Sequence, residues 1–326
     1  MRYRSLGASG IQASVVGLGA WAMGGWMWGG SDETAAIKAI HTAIDLGMNL
    51  LDTAPVYGFG HSEEIVGKAI KGKRDKVVLA TKCGMVWHVQ KGVHFFDDPT
   101  GNVVYKYLAP ESIRYEVEQS LKRLGTDYID LYQTHWQDAT TPIQNTMEAL
   151  LQLKKEGKIR AIGVSNVTVD QIAQYSQYGP VDNAQEKYSM LDREIEEALL
   201  PWCHQHSVAM LAYSPLGQGL LTGKIGPERT FEPGDQRLDN PRFSIENRRR
   251  IAEMLQTFKP IADTHKVTIG QLVIAWTAAQ PGLTHVLCGA RNPEQVIENA
   301  GGGDLVLAES EIRKMTQALQ RYQSTL

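Results

Sequence analysis

Four side chains able to hold or move a proton stand where short apolar runs end. Leu51-Asp52-Thr53-Ala54 closes one run, with Tyr57 shortly after it; Ala80-Thr81-Lys82 closes a second; Gln133-Thr134-His135 closes a third. A carboxylate, a phenol, an ammonium and an imidazole brought to one rim make sense as a proton donor. A phenol has a reference pKa of ~10, so at neutral pH it is protonated but reluctant to release the proton. A nearby ammonium favours the phenolate, and a carboxylate fixes that ammonium and offsets its burial. An imidazole within reach could polarise the same substrate oxygen or relay the proton.

A shared rim requires that the runs be parallel neighbours. β-branched runs recur at 14–19, 49–52, 76–82, 128–134, 159–165, 183–187, 208–214 and 284–288. Most are near-continuous apolar strings, the pattern of strands buried on both faces. Helical patterns fall between them. The stretch 32–46 carries Ile37, Ile40 and Ile44 and ends at Gly47; 110–124 opens on Pro110 and stops at Gly125; 142–156 has Thr141 as a candidate N-cap, Pro142 in its first turn and Gly157 after it. Further helical stretches are expected at 168–178, 195–205, 245–265, 268–280 and 308–321, with Asn292-Pro293-Glu294 opening another. Eight strand–helix units predict a parallel (β/α)8 TIM barrel rather than a doubly wound sheet. The residues before the first unit read as a β-hairpin plugging the barrel bottom. Segments 21–30, 84–109 and 215–244 exceed the usual connection of about 2–6 residues. Each follows a strand and precedes a helix, so all three belong at the C-terminal mouth, where barrel active sites are built.

The chain has 326 residues, 43% of them hydrophobic and 21% charged. No linker divides it, and a plain barrel takes ~250 residues; the hairpin, mouth loops and final helix supply the rest of one domain spanning 1–326. Neither a signal peptide nor an apolar run of the ~18–20 residues needed to span a bilayer is evident. A net charge of −3 gives no general attraction for nucleic acid or anionic membrane. Three cysteines without a CxxC form no disulfide framework. The expectation is a cytoplasmic protein; oligomeric state is left open.

The sequence resembles the aldo-keto reductase family. The motifs that carry the resemblance are Leu51 to Gly58, His61-Ser62-Glu63-Glu64-Ile65-Val66-Gly67, Thr81-Lys82, Asp127-Tyr128-Ile129-Asp130, Thr134-His135, Gly157-Lys158-Ile159-Arg160-Ala161-Ile162-Gly163-Val164-Ser165-Asn166 and Tyr213-Ser214-Pro215-Leu216, in the family's order and over essentially the whole chain. Within the family it looks most like bacterial reductases of small aldehydes such as methylglyoxal. The resemblance implies that Tyr57 is the general acid, Lys82 lowers its pKa, Asp52 pairs with Lys82, and His135 orients the carbonyl. It implies NAD(P)H as hydride donor and a small carbonyl as substrate. Ser165, Asn166 and Gln185 would hold the carboxamide, and Tyr213 would stack on the nicotinamide. Ser214, Leu216, Gln218 and Leu221 would cover the pyrophosphate, with Gln295, Glu298 and Asn299 at the adenosine end; Gly19, Ala20, Trp21 and Asp52 would line the same cleft. Where many NADPH-dependent relatives place a Lys-Ser pair and a later Arg around the 2′-phosphate, this chain has Gly289, Ala290 and Gln295, with Arg291 nearby. Two cations are thereby missing, which favours NADH.

Other local features are weaker. Gly17-Leu18-Gly19 lacks the third glycine of a dinucleotide fingerprint, Ala22 standing in its place. His204 and His206 lack further ligands in pattern, and no metal is expected. Cys83 is expected to be a small buried thiol facing away from Lys82. Trp21, Trp26, Trp28, Trp87 and Trp136 fall in mouth segments, so Trp21, Trp26, Tyr57, Trp87 and Trp136 are the expected substrate pocket; Trp202 and Trp276 are expected in the core. The chain ends shortly after the last helix, which leaves selectivity to segments 21–30 and 84–109. Two other readings are a redox-sensing regulatory subunit of the same fold and a Schiff-base lyase using Lys82.

Overall fold

The computed structural model describes residues 1–323. In chain order it contains β1 (Tyr3–Ser5), β2 (Gln12–Ser14), β3 (Val16–Gly19), α1 (Glu33–Asp45), β4 (Leu50–Asp52), α2 (His61–Ile70), β5 (Val78–Cys83), β6 (Met85–Val86), β7 (Val93–Asp97), β8 (Val103–Lys106), α3 (Pro110–Leu124), β9 (Ile129–Thr134), α4 (Ile143–Lys155), β10 (Ile159–Ser165), α5 (Val169–Tyr178), β11 (Asn183–Lys187), α6 (Leu199–Gln205), β12 (Ala209–Tyr213), α7 (Ile245–Gln256), α8 (Lys259–His265), α9 (Ile269–Ala278), β13 (His285–Gly289), α10 (Pro293–Asp304) and α11 (Glu309–Gln323). Strands β3, β4, β5, β9, β10, β11, β12 and β13 close into one parallel barrel. The expected (β/α)8 architecture is what forms, because each doubly buried strand is followed by a helix that covers its outer face.

The hairpin β1–β2 is antiparallel and carries Leu6, Ile11 and Ala13 into the barrel's lower end. There they pack with Leu50, Val78, Ala80, Leu131, Ala161, Ala209, Leu211 and Leu287. Two arginines tie the hairpin to the barrel: Arg2 Nε donates to Gly303 O at 2.7 Å, and Arg4 Nη1 donates to Leu283 O at 2.8 Å. Among the described residues, no helix is long and apolar enough to cross a membrane.

Several sequence expectations are corrected. The 195–205 stretch begins its α-helix only at Leu199, and 245–265 splits into α7 and α8. Proline explains both, since its ring clashes with the carbonyl four residues back: Pro201 tolerates only the first turn, and Pro260 ends α7 at Gln256. Thr141 does not cap α4; its hydroxyl donates to Asp138 Oδ2 at 2.7 Å. The same carboxylate also accepts from Leu108 N and Thr140 N, which fixes the turn before α4. Helix α2 had no periodicity expectation, and segment 84–109 is not loop alone but holds an antiparallel sheet in the order β6-β8-β7. Trp276 is core, as expected, whereas Trp202 is only partly buried and stacks on His206.

Candidate active site

Lys82, Asp52 and Tyr57 meet at the top of the lumen. Lys82 Nζ donates to Asp52 Oδ1 at 2.6 Å, to Thr53 O at 3.0 Å and to Tyr57 Oη at 3.3 Å. An ammonium has three donors and no acceptor, and here all three are used. Because Tyr57 Oη accepts from Lys82, its own proton is left for another acceptor. His135 lies edge-on to the phenol, with ring centroids 5.7 Å apart. The four sequence-predicted proton-handling residues are therefore brought together.

Their local positions have identifiable causes. Gly58, at φ +67°, packs its Cα against segment 21–24: a Cβ there would lie 2.5 Å from Gly24 O. That close approach sets the turn bearing Tyr57. The following motif is scaffold. Ser62 Oγ donates to Ala20 O at 2.9 Å. The buried Glu63 accepts from Thr81 Oγ1 at 2.6 Å and from Arg123 Nε at 2.7 Å, pinning α2 to β5 and α3 beside Lys82.

Electrostatics refine one expectation. Burial pushes the Tyr57 phenol above its ordinary value, and Lys82 pulls it back only in part. Lys82 thus lowers the phenol, as the resemblance implied, while burial sets the net shift upward. Burial opposes the Lys82 ammonium too, but Asp52 and Tyr57 together outweigh it and hold it above its usual range. Burial and the Lys82 charge push His135 well below the ordinary imidazole range, so that ring is neutral. Cys83 is a buried thiol, raised by burial and by Glu116, and takes no part in the rim.

Beside this group stand the residues that the resemblance assigns to a dinucleotide. Asn166, at φ +56°, donates from Nδ2 to His135 O at 2.8 Å and accepts at Oδ1 from Tyr213 Oη at 2.9 Å. Ser165 Oγ donates to Gln185 O at 2.7 Å. The chain then turns sharply through Ser214, Gly217, Gln218 and Gly219, all at positive φ, and Arg237 holds Gln218 O at 3.3 Å. Leu216 is half-buried, while Leu221 is fully buried in the core, so only its backbone could face a ligand. Gly289 faces open space: a Cβ there would meet nothing within 4 Å. Asn299 Nδ2 donates to Gly289 O, Gln295 Oε1 accepts from Arg291 N, and Glu298 is paired with Lys224 and Thr268. Ala20 N donates to Asp52 O, which holds Gly19 and Ala20 beside Asp52. The indole nitrogens of Trp21 and Trp28 are buried donors without a partner among the described residues. An open glycine edge, amides at the rim and unsatisfied indole donors fit a polar, elongated cofactor.

Residues 15–320 match the model described as "Aldo/keto reductase family". The chain belongs to that family. The NADH-specific methylglyoxal reductase of Escherichia coli is 46% identical to it, over 98% of this chain and 100% of the relative. The solved glycerol dehydrogenase AKR11B4 from Gluconobacter oxydans has a TM-score of 0.88 at 38% identity, covering 98% of this chain and 95% of that one. An aldo-keto reductase from Klebsiella pneumoniae in complex with NADPH has a TM-score of 0.72 at 29% identity, covering 97% and 95%. This aldo-keto reductase is thus an NAD(P)H-dependent oxidoreductase of carbonyls.

The reductase carries an aromatic wall above Tyr57. Trp21 stacks on Tyr57 at 6.0 Å, while Trp26, Trp87 and Trp136 join Ala54, Val56, Met85 and Val104 in an apolar cluster at the mouth. Trp26 is fixed by Nε1 donating to Asp98 Oδ1 at 2.8 Å. Sequence reasoning missed Phe96, which stacks on Trp26, Phe59, which meets Trp26 and Trp87 edge-on, and Phe95, tilted against Trp136. It also missed Gln133 and Asn183, fully buried beneath Asp52. Their signal was visible: a glutamine and an asparagine inside otherwise buried strands must have a polar partner.

Proposed function

We propose that this enzyme reduces small aldehydes and α-dicarbonyls of the methylglyoxal kind, with NADH preferred and Tyr57 as proton donor. One observation carries the proposal. Lys82 spends its three donors on Asp52, Thr53 and Tyr57, which holds a charged ammonium against the phenol oxygen while leaving the phenol proton to be given away. The cofactor supplies a hydride to the carbonyl carbon. As negative charge grows on the carbonyl oxygen, Tyr57 passes its proton to that oxygen and Lys82 stabilises the phenolate left behind. The neutral His135 ring can donate a hydrogen bond to the same oxygen. The aromatic wall of Trp21, Trp26, Trp87 and Trp136 sizes the pocket for a small carbonyl and keeps water away from it.

Ser165, Asn166 and Gln185 would hold the carboxamide end of the cofactor and Tyr213 its ring, under the strap formed by Ser214, Leu216 and Gln218. Preference for NADH follows from the adenosine end. Gly289 and Gln295 carry no charge, Lys224 is paired with Glu298, and Arg291 Nη1 already donates to Trp28 O at 3.3 Å. The E. coli relative, named as NADH-specific, points the same way. A nucleophilic Lys82 is disfavoured because its ammonium is fully engaged, and a purely regulatory role leaves the assembled proton-handling group without a use. We place the activity in one domain acting in the cytoplasm.

The test is steady-state turnover with NADH against NADPH over a panel of small aldehydes and dicarbonyls. One missing charge-assisted hydrogen bond is about 1.5–3 kcal/mol, so kcat/KM should favour NADH by roughly tenfold or more. Equal or better turnover with NADPH contradicts the cofactor reading, and no turnover of any carbonyl contradicts the function.

A further inference from the structure

Under the Lys82–Asp52 pair lies a layer of side-chain amides, of which Gln133 and Asn183 have no place in the scheme above. Gln133, Asn183 and Gln185 are each at most 2% exposed. Gln133 is at its centre. Its Nε2 donates to Asp52 Oδ2 at 3.3 Å, and its Oε1 accepts from Gln185 Nε2 at 3.2 Å and lies 2.7 Å from the Asn183 side-chain amide. Gln185 Nε2 also reaches Asp52 Oδ2 at 2.9 Å. Asp52 and Gln185 fix the direction of the Gln133 amide, because the carboxylate oxygen needs a donor and the Gln185 nitrogen an acceptor. The oxygens of Asp52 are thereby divided, Oδ1 to Lys82 and Oδ2 to amides.

The fold makes room for this layer. Gly163 on β10 pairs in register with Gln133 on β9 and with Asn183 on β11. A Cβ on Gly163 would lie 2.7 Å from Gln133 Cγ and 3.2 Å from Asn183 Nδ2. Its backbone is not in the left-handed region, so the requirement there is space and not conformation. The glycine in the middle of that strand is what admits two amides into the lumen.

We propose that Gln133, braced by Asn183, is a positioning residue: it holds Asp52 so that Lys82 stays aimed at the Tyr57 oxygen. This rests on Tyr57 as the proton donor. The Lys82–Tyr57 contact, at 3.3 Å, is the longest of the three that Lys82 makes, so it is the first to lengthen if the carboxylate turns. The groups facing Tyr57 are Lys82, Asp52, Tyr213 and the neutral His135. Of these only Lys82 favours the phenolate. Loosening it leaves burial less opposed and moves the phenol further up.

The experiment reads alcohol oxidation, which needs the phenolate, as a function of pH in wild type and Gln133→Met, a change that keeps the volume and removes the amide. The alkaline rise should move upward by about one pH unit and kcat should fall roughly tenfold, while cofactor affinity from NADH fluorescence stays within about twofold. If Gln133→Met does not fold, Asn183→Ala, which removes only the brace, should move the rise in the same direction by less. A native midpoint in the folded variant, even with lower Tm or kcat, would make Gln133 a packing residue and overturn the inference. Tyr57→Phe separates the two ideas. If it keeps native turnover, the proton-donor reading itself fails; if it loses turnover while the Gln133 and Asn183 variants keep the native midpoint, only the positioning inference fails.

Discussion

The lumen of this barrel is filled in two different ways, one above the other. Its lower part is mainly apolar, with Leu6 of the hairpin buried among Leu50, Val78, Leu131 and Leu211, beside one buried imidazole, His285, whose Nδ1 lies 3.0 Å from Ser14 O. Its upper part holds Gln133, Asn183 and Gln185, then the Asp52–Lys82 pair, then Tyr57. The apolar side chains there need no partners and contribute through area removed from water. The upper filling is polar and buried, so every donor must be matched, and a single lost partner leaves its neighbour exposed to the full desolvation cost. The same eight strands thus carry a tolerant half that holds the fold together and an exacting half that fixes directions. Chemistry sits on the exacting half because proton transfer depends on where hydrogens point.

If that division is right, substitutions in the two halves should change different observables. The largest effect is expected from Tyr57→Phe, which removes one hydroxyl from the upper end: kcat for carbonyl reduction should fall by about 10²–10⁴-fold. Cofactor binding should stay near wild type because the ring remains, while the thermal midpoint should fall a little because Lys82 Nζ loses the Tyr57 oxygen as acceptor. Leu6→Ala addresses the opposite end. It empties a fully buried site and should cost about 2–5 kcal/mol in denaturant unfolding, with kcat per folded molecule unchanged. A Leu6 variant of native stability, or one with altered turnover, would erase the distinction between the halves.

Much of this arrangement was readable in the sequence, for reasons specific to each part. The barrel strands appear as apolar runs because both faces are buried, and the proton-handling residues stand out as ionisable groups ending such runs. Segment 84–109 hid its sheet because β7 and β8 are partly exposed and pack against mouth aromatics, so no uniform run or strict alternation marks them. Pro201 and Pro260 broke helices that apolar spacing alone would extend. That Lys82 lowers the Tyr57 phenol was legible from residue types, whereas the depth of burial that carries the net shift upward was not. The amide layer was legible in kind, as polar residues inside buried strands, but not in partner, since Gln133 and Asp52 are distant in sequence.

The central claim is that Tyr57, not His135, gives up the proton, and the pH dependence of the chemical step tests it most directly. Burial raises the phenol, so Tyr57 is protonated throughout the neutral range; burial and the Lys82 charge lower the imidazole, so His135 is a neutral ring and not an acidic imidazolium there. Single-turnover oxidation of bound NADH by a small aldehyde should therefore proceed at a constant rate from about pH 5.5 to 8.5. A rate that falls about tenfold per pH unit above an inflection near 6–7 would identify an imidazolium donor and contradict the account.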